Sequence, residues 1–506
     1  MTTTPSRRRA AAAALATGSA LLLAACGSQL DAADVAAANG STGVLSITSG
    51  SSETALEASV GTDENADVAE DLLGPTDTTG GDGGPAPTGA GTSATPDTSD
   101  DAPGETPDEP AAPATGDAGG GSEAASCDGF DNDQPGVTSS TITLANASDV
   151  SGPVPGIFES ARQGSRAYVA YFNATQKLCG HDIKLLELDS RADAGADQQA
   201  YARACAETFA AVGSMSAFDS GGAKTAQECG LPDVRSTTVN PERVKCSTCF
   251  SAQSVNPGQI PRAMPTYFLD QFSAQTKKVA LLYINAGAAP VNAASFKKGW
   301  ESVGWSIPYF QAIDVAEFNF APYVQQMKDR GIEIVYYLGP YQNTIKVQQA
   351  MKQQGFTPDV YLQDSTIYDQ KYVEQAGELA EGAYAYSNVA LFTDSGNKEM
   401  ALYRAWLEQT NPGADPNFYG LYAWSATRLF LEQATQLGGD LDRASMVQAL
   451  GKVKDWTSNG LHSPQDVGGK TTGKCQKIIR YTGGTWKQVS KGDYLCDTLV
   501  NTGVGA

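Results

Sequence analysis

Short apolar strands alternate with helices of 10 to 15 residues in two separate runs of this chain. In the first run, predicted strands at 141–145 and 183–188 flank a helix over about 155–176, and a second helix follows around residue 205. Two adjacent parallel strands need a crossover of a dozen or more residues, which a helix of this length supplies. The pattern therefore predicts an α/β fold built on parallel sheets.

The alternation begins again after residue 277, which predicts a second lobe. Predicted strands at 278–284, 306–313, 332–338 and 360–362 are separated by helices over 293–303, 321–330 and 343–354. Three helices are expected near 397–411, 417–437 and 443–453. A β-like tail with a turn at Gly483-Gly484 closes the sequence.

The net charge of −22 is concentrated in one segment near the N-terminus. Residues 27–136 contain 22 Asp and Glu and no Lys or Arg, and they are rich in Gly, Pro, Ser, Thr and Ala. Such a composition buries too little apolar surface to offset the entropy of ordering, so residues 26–136 are predicted to be a disordered acidic tether. Residues 137–506 carry a net charge of only −3. That balance provides no basic surface for nucleic acid, which is not expected as a partner.

The first 26 residues have the form of an export signal. Arg7, Arg8 and Arg9 precede an apolar stretch that is too short to span a bilayer. The run Leu23-Ala24-Ala25-Cys26 resembles a bacterial lipobox, so residues 1–25 are predicted to be a signal peptide and Cys26 the lipidated N-terminus. An ordinary secretion signal with a chance cysteine is the alternative, and the export route stays open. The expected location is extracytoplasmic, with a lipid anchor in the cell membrane.

Eight cysteines remain after Cys26, an even number that favours disulfides in an exported protein. Eight cysteines allow 105 pairings, and the sequence does not select one. Cys475 and Cys496 form the only late pair and are predicted to be bridged, whereas Cys179 with Cys205 is a second plausible bridge. The Cys246-Ser-Thr-Cys249 motif is interpreted as a structural bridge rather than a redox site.

Catalytic constellations are scarce in this sequence. The only two histidines, His181 and His462, lie far apart without metal-ligand spacing and are expected on the surface. No Gly-x-Ser-x-Gly nucleophile motif occurs. We therefore expect neither enzymatic activity nor a metal or cofactor.

From Val137 onward the chain resembles the type I periplasmic binding proteins, in particular the branched-chain amino-acid (Leu/Ile/Val-type) receptor family of ABC transporters. The stretches that carry the resemblance occur in the family's order and cover about 370 residues: 135–144, 150–153, 167–173, 183–190, 230–234, 278–283, 331–339 and 419–424. The second-strand region departs from the family pattern, because Asp189 is followed by Ser190 where the family often has a second acid.

The resemblance implies two Rossmann-like lobes joined by a hinge, with a ligand between them. Lobe 1 would comprise residues 137–257 and 390–455, and lobe 2 residues 258–389 and 456–506. The implied function is capture of a small solute, an amino acid or a related amide or organic acid, for the permease subunits of an ABC importer.

Carried over residue by residue, the family pattern nominates ten ligand-contacting positions. In lobe 1 these are Ser151, Gly152, Ser216, Asp219, Ser220, Thr237 and Thr238, and in lobe 2 they are Asn285, Tyr341 and Asp364. The resemblance implies that Asp364 pairs with an ammonium group and that Tyr341 covers an apolar group. Turn chemistry or helix capping explains each residue about as well.

Two other functions remain open at the level of sequence. One is a ligand-sensing receptor on the same fold without a transporter. The other is a lipoprotein enzyme or a cell-wall interaction protein, which the absence of recognisable motifs disfavours.

Overall fold

The computed structural model describes residues 125–505. The predicted signal peptide, Cys26 and most of the predicted tether lie outside the described residues. The strands are β1 Thr141–Ser148, β2 Asp182–Asp189, β3 Ala210–Val212, β4 Asp233–Thr238, β5 Cys249–Ser254, β6 Gln259–Pro261, β7 Val279–Ile284, β8 Tyr309–Ile313, β9 Ile334–Leu338, β10 Val360–Gln363, β11 Tyr384–Ser387, β12 Cys475–Thr482, β13 Thr485–Gln488, β14 Leu495–Cys496 and β15 Leu499–Asn501. The helices are α1 Glu159–Thr175, α2 Ala194–Glu207, α3 Ala223–Glu228, α4 Pro241–Lys245, α5 Ala263–Gln271, α6 Ala289–Val303, α7 Ala321–Asp329, α8 Tyr341–Gln353, α9 Gln370–Ala376, α10 Lys398–Thr410, α11 Phe418–Leu437 and α12 Arg443–Leu450.

The first sheet has five parallel strands in the order β2-β1-β3-β4-β5. Its centre is buried on both faces, because α2 packs on one side and α1 and α11 on the other. Leu144 of β1 lies between Leu185 of β2 and Ala210 of β3 in the register. Buried parallel strands are usually continuous apolar runs. β4, with the sequence Asp-Val-Arg-Ser-Thr-Thr, is an exception, since all six of its residues are buried.

The second sheet is mixed and follows the order β13-β12-β11-β10-β9-β7-β8. Strands β7 to β11 are parallel, whereas β12 runs antiparallel to β11 and forms a hairpin with β13. Gly483 and Gly484 form the turn of that hairpin with φ angles of +59° and +80°, as the sequence predicts. The α/β fold with parallel sheets is therefore confirmed.

The chain passes between the two sheets three times. The connections lie between β5 and β6, between β11 and α10, and between α12 and β12. After the second connection α10 and α11 return to pack against α1. We call the part on the first sheet lobe 1 and the part on the second sheet lobe 2, and we propose the domain limits of the sequence analysis as their limits.

Four disulfides link the eight cysteines of the described part of the chain: Cys127–Cys179, Cys205–Cys229, Cys246–Cys249 and Cys475–Cys496. The predicted bridge between Cys475 and Cys496 is present, and these residues also pair across β12 and β14. The pairing of Cys179 with Cys205 is wrong. Cys205 at the end of α2 faces Cys229, which follows the neighbouring α3.

Cys179 is instead bonded to a segment that was predicted to be disordered. Residues 125–136 pack against lobe 1, where the ring of Phe130 lies 5.1 Å from that of His181. The backbone N–H of Gly439 donates to Ser126 O at 2.8 Å. The prediction of disorder is therefore wrong for these twelve residues, because a disulfide and local contacts supply what their composition lacks.

We expect replacement of both Cys475 and Cys496 by serine to lower the free energy of unfolding by about 3 kcal/mol. The bridge closes a loop with a sequence separation of 21 residues, and its loss enlarges the conformational entropy of the unfolded chain. Cys496 is exposed and Cys475 partly exposed, so the new hydroxyls can reach water. Urea denaturation followed by tryptophan fluorescence measures the change. An unchanged midpoint would contradict the prediction.

None of the helices within residues 125–505 has the length and apolar character needed to cross a bilayer.

Candidate functional site

A cavity of about 750 Å³ opens between the two lobes at the carboxyl ends of their parallel strands. Its lobe-1 wall is formed by the segments that follow β1, β3 and β4, and its lobe-2 wall by those that follow β7, β9 and β10. Such crevices are the usual ligand sites of open α/β sheets. We call this cavity the cleft.

Apolar side chains cover much of the cleft. Ile157 and Phe158 contribute from lobe 1, and Ile284 and Leu338 from lobe 2. The cleft also extends into lobe 2 between α5 and α6, where Ile260, Met264, Phe296 and Trp300 line it. We call this part of the cleft the lobe-2 extension. Because these four side chains are apolar, it can accommodate the apolar part of a ligand.

Asp364 lies in the lobe-2 wall directly after β10. Its carboxylate accepts the N–H of Thr366 at 2.9 Å and thereby caps a single helical turn. The hydroxyls of Tyr336 and Tyr386, 3.0 Å apart, lie near it. Burial raises the pKa of Asp364, and no ion pair among residues 125–505 includes this carboxylate. The cleft therefore contains an acceptor without a cationic partner.

Asp149 lies in the opposite wall, directly after β1, which is an inner strand of the first sheet. It accepts hydrogen bonds from Ser190 Oγ at 2.6 Å and from the N–H groups of Ala192 and Ala217 at 3.0 and 2.9 Å. Burial raises its pKa, while these hydrogen bonds act in the opposite direction. Asp149 thus ties together the loops that follow β1, β2 and β3.

The predicted contacts Ser151 and Gly152 are not among the residues that line the cleft. The Ser151 hydroxyl donates to Asp189 at 2.6 Å, and this bond and three backbone N–H groups outweigh burial to lower the pKa of Asp189. Gly152 has a φ of +110°, and a Cβ there would come within 2.3 Å of Arg191 O. Both residues therefore shape the loop.

The structure also places Ser216, Asp219 and Ser220 outside the cleft lining. Ser216 Oγ accepts the N–H of Phe218 at 3.0 Å. Asp219 is fully buried and accepts from the N–H of Val239 at 3.1 Å. Burial raises the pKa of Asp219 to about 6, against the effect of two neighbouring arginines.

The remaining predicted residues are divided between the cleft and its surroundings. Thr237, Tyr341 and Asp364 line it, whereas Thr238 is buried outside it and Asn285 is exposed outside it. Thr237 Oγ1 lies 3.2 Å from Gln253 Oε1, which also lines the cleft. Three of the ten predicted positions therefore meet at one cavity.

Three amide side chains of lobe 2 line the cleft and were not predicted from the sequence. The side-chain oxygens of Asn292, Gln342 and Asn388 are buried and have no hydrogen-bond partner within residues 125–505. Asn388 is only 8% exposed and follows β11, a strand that was not predicted. Recognition of that strand would have nominated Asn388, since residues directly after parallel strands face the crevice.

Both histidines are buried, so their expected surface location is wrong. His462 Nε2 lies 2.8 Å from Ser425 Oγ, and Nδ1 lies 2.9 Å from Ser463 O. Burial lowers the pKa of His462 to about 4. His181 Nε2 lies 2.8 Å from Asn132 Oδ1. Within the described range, no group of three or more His, Cys, Asp or Glu side chains could hold a metal ion.

Comparison with known proteins agrees with this architecture. The family profile described as periplasmic binding protein matches residues 141–477. The Leu/Ile/Val-binding protein homolog 1 of Brucella abortus (strain 2308) is 22% identical over 184 residues, which are 36% of this chain and 47% of that protein. The chain thus aligns with about half the length of this curated relative.

Solved structures show the same fold at low sequence identity. The leucine binding protein LivK of Thermotoga maritima has a TM-score of 0.59 and 16% identity, covering 71% of this chain and 99% of its own. A fatty acid ABC transporter substrate-binding protein from Thermomonospora curvata has a TM-score of 0.62 and 14% identity, covering 72% and 94%. Since the family profile spans well over half of the sequence, the chain belongs to the periplasmic binding protein family.

Proposed function

We propose that this chain is the extracytoplasmic solute-binding lipoprotein of an ABC importer. It captures a small solute, an amino acid or a related amide or organic acid, between its two lobes, without catalysing a reaction. The observation that carries the proposal is the cleft itself, which combines apolar walls with the uncompensated carboxylate of Asp364. The names of two similar proteins support the role: one is a Leu/Ile/Val-binding protein homolog, and the other is a substrate-binding protein of a fatty acid ABC transporter.

Hydrogen bonds between the lobes support a closing motion. The N–H of Ala288 in lobe 2 donates to Ala217 O in lobe 1 at 2.9 Å. Asn292 Nδ2 donates to Val239 O at 3.0 Å. Because each bond joins the rims of the cleft, opening about the hinge breaks both, and a bound solute favours the closed state.

A solute screen tests this function directly. A solute that binds the folded but not the unfolded chain raises the free energy of unfolding, by about 2.7 kcal/mol when its concentration is 100 times its Kd. The melting temperature rises as a result. The same solute should reduce the radius of gyration in small-angle X-ray scattering. If no amino acid, amide, small organic acid or amine changes either quantity, solute capture is wrong.

Cys26→Ser should release the protein from the membrane. A lipid chain anchors through about 0.8 kcal/mol per buried CH₂ group, and serine cannot carry the thioether. Fractionation of cells that express either form measures the membrane-bound share. Ser28→Ala, two residues away, is the matched control and should leave that share unchanged. Equal membrane retention of the Cys26 variant would refute the lipid anchor.

A further inference from the structure

Carboxylates of the protein itself accept hydrogen bonds from backbone donors in and around the lobe-1 wall of the cleft. Asp149 uses the N–H groups of Ala192 and Ala217, which follow β2 and β3 at the sheet edge. Backbone N–H groups at such edges are the usual partners of a ligand carboxylate or phosphate. Here an internal aspartate lies where an anionic ligand group would bind.

Two further aspartates use the neighbouring donors. Asp189 accepts the N–H groups of Val150 and Ser151 at 3.1 and 3.2 Å, and the Ser151 hydroxyl as well. Asp219 accepts the N–H of Val239 and the side-chain amide of Asn240 at 2.6 Å. The loops that a ligand carboxylate would approach therefore have their donors directed into lobe 1.

The charged side chains around the cleft also disfavour an anion. Five acidic residues line it, namely Asp149, Glu159, Asp364, Asp369 and Asp415, against the two bases Arg166 and Lys371. Arg166 is held by Glu187 Oε1 at 2.7 Å and by Asn411. Lys371 is exposed beside Asp369 and Asp415. Neither base offers an isolated positive charge to a ligand.

The lobe-2 wall has the opposite requirement, since two of its acceptors lack a partner that would satisfy them. Asp364 has no cationic partner in the described part of the chain. The amide oxygen of Asn388, whose side chain is buried, accepts no hydrogen bond there. Beyond them lies the apolar lobe-2 extension with Phe296 and Trp300. A partner for this wall must donate hydrogen bonds and carry an apolar body.

We propose that the solute is a cationic amine with an apolar body and no carboxylate. Its ammonium group lies at Asp364 with Asn388 as a further acceptor, and its hydrocarbon part fills the lobe-2 extension. This rests on the proposed solute-binding function and changes its solute class from amino acids, amides and organic acids to amines. An α-amino acid fits less well, because its carboxylate would face the carboxylate of Asp149. The N–H groups of Ala192 and Ala217, which could bind it, already donate to Asp149.

Matched ligand series test the substrate class. Isothermal titration calorimetry of the full chain compares phenylethylamine, phenylalanine and 3-phenylpropanoate, and likewise isoamylamine, leucine and 4-methylpentanoate. We expect each amine to bind at least tenfold more tightly than its amino acid, and the carboxylates not to bind. An amino acid that binds as tightly as its amine overturns the amine class but leaves solute capture intact. A carboxylate that binds best, or no binding in either series, also overturns it, and the broader solute screen then decides solute capture separately.

Asp149→Ala tests whether the Asp149 carboxylate prevents the N–H groups of Ala192 and Ala217 from binding a ligand carboxylate. Removing this carboxylate frees the N–H groups of Ala192 and Ala217, so leucine should gain at least tenfold in affinity relative to isoamylamine. An unchanged ratio in a folded variant would show that Asp149 does not exclude the carboxylate. Should the variant fail to fold, since Asp149 joins three loops, the ligand series on the unaltered protein still decides the proposal.

Discussion

Asp364→Asn is expected to weaken binding of an ammonium-bearing solute by about 10- to 100-fold. A hydrogen bond to a charged group contributes roughly 1.5–3 kcal/mol, and 1.4 kcal/mol corresponds to a factor of ten. Asparagine keeps the shape of the side chain, and its oxygen can still accept the N–H of Thr366 that caps the helical turn. The change therefore removes the charge while the loop after β10 remains in place.

Calorimetry with both phenylethylamine and phenylalanine measures this effect, because each ligand carries the ammonium group. The uncharged 2-phenylethanol should lose little affinity in the variant. Asp415→Asn is the matched control, since Asp415 also lines the cleft but lies beside Lys371. Undiminished affinity of both ammonium ligands for the Asp364 variant would show that Asp364 is only a capping residue.

The pH dependence of binding gives a second measure of the same carboxylate. Burial raises the pKa of Asp364 above its ordinary value of 3.8, so the group takes up a proton earlier as the pH falls. Protonation removes the partner of the ammonium group. Affinity should therefore decline on acidification, with a midpoint above 3.8. In Asp364→Asn this step should be absent.

Much of the fold could be predicted because periodicity and crossover length are local properties of the sequence. The helices α10 and α11 were expected within one residue of their observed ends. By contrast β5, with the sequence Cys-Phe-Ser-Ala-Gln-Ser, was missed. Its polar residues are buried by contacts with elements distant in sequence, such as α11. The local sequence pattern of a strand does not predict such contacts.

The site was less predictable than the fold, for a physical reason that Asp219 illustrates. An aspartate after a parallel strand lies near the crevice, but its side chain can point toward the ligand or back into the lobe. Arg235 and Arg243 are both buried beside Asp219 and direct its carboxylate inward. Neither arginine is adjacent to Asp219 in sequence, so this choice depends on tertiary packing. Asp364 has no such arginine and remains at the cleft.

The largest loss of stability is expected from Arg243→Met. Arg243 is fully buried and donates to Asp233 Oδ2 at 2.8 Å and to the backbone oxygen of Asp219 at 2.8 Å. It lies 3.3 Å from Asp197 Oδ2, and its guanidinium group stacks 4.2 Å from the centre of the Tyr201 ring. Methionine fills part of the volume but leaves the buried carboxylate of Asp197 without its cation, and Asp233 then has only Arg235, 3.9 Å away. Breaking a buried ion pair in this way costs about 3–5 kcal/mol.

Urea denaturation of the full chain measures this cost, and Arg203→Met is the matched control. Arg203 pairs with Glu207 on the exposed face of α2, where water screens the pair, so its loss should hardly move the midpoint. The Arg243 variant should also bind solutes more weakly, because Asp219 holds the N–H of Val239 at the cleft wall. A change as small as that of the control would show that the contacts of Arg243 with Asp197 and Asp233 do not stabilise the fold. The buried polar sequence of β4 would then need another explanation.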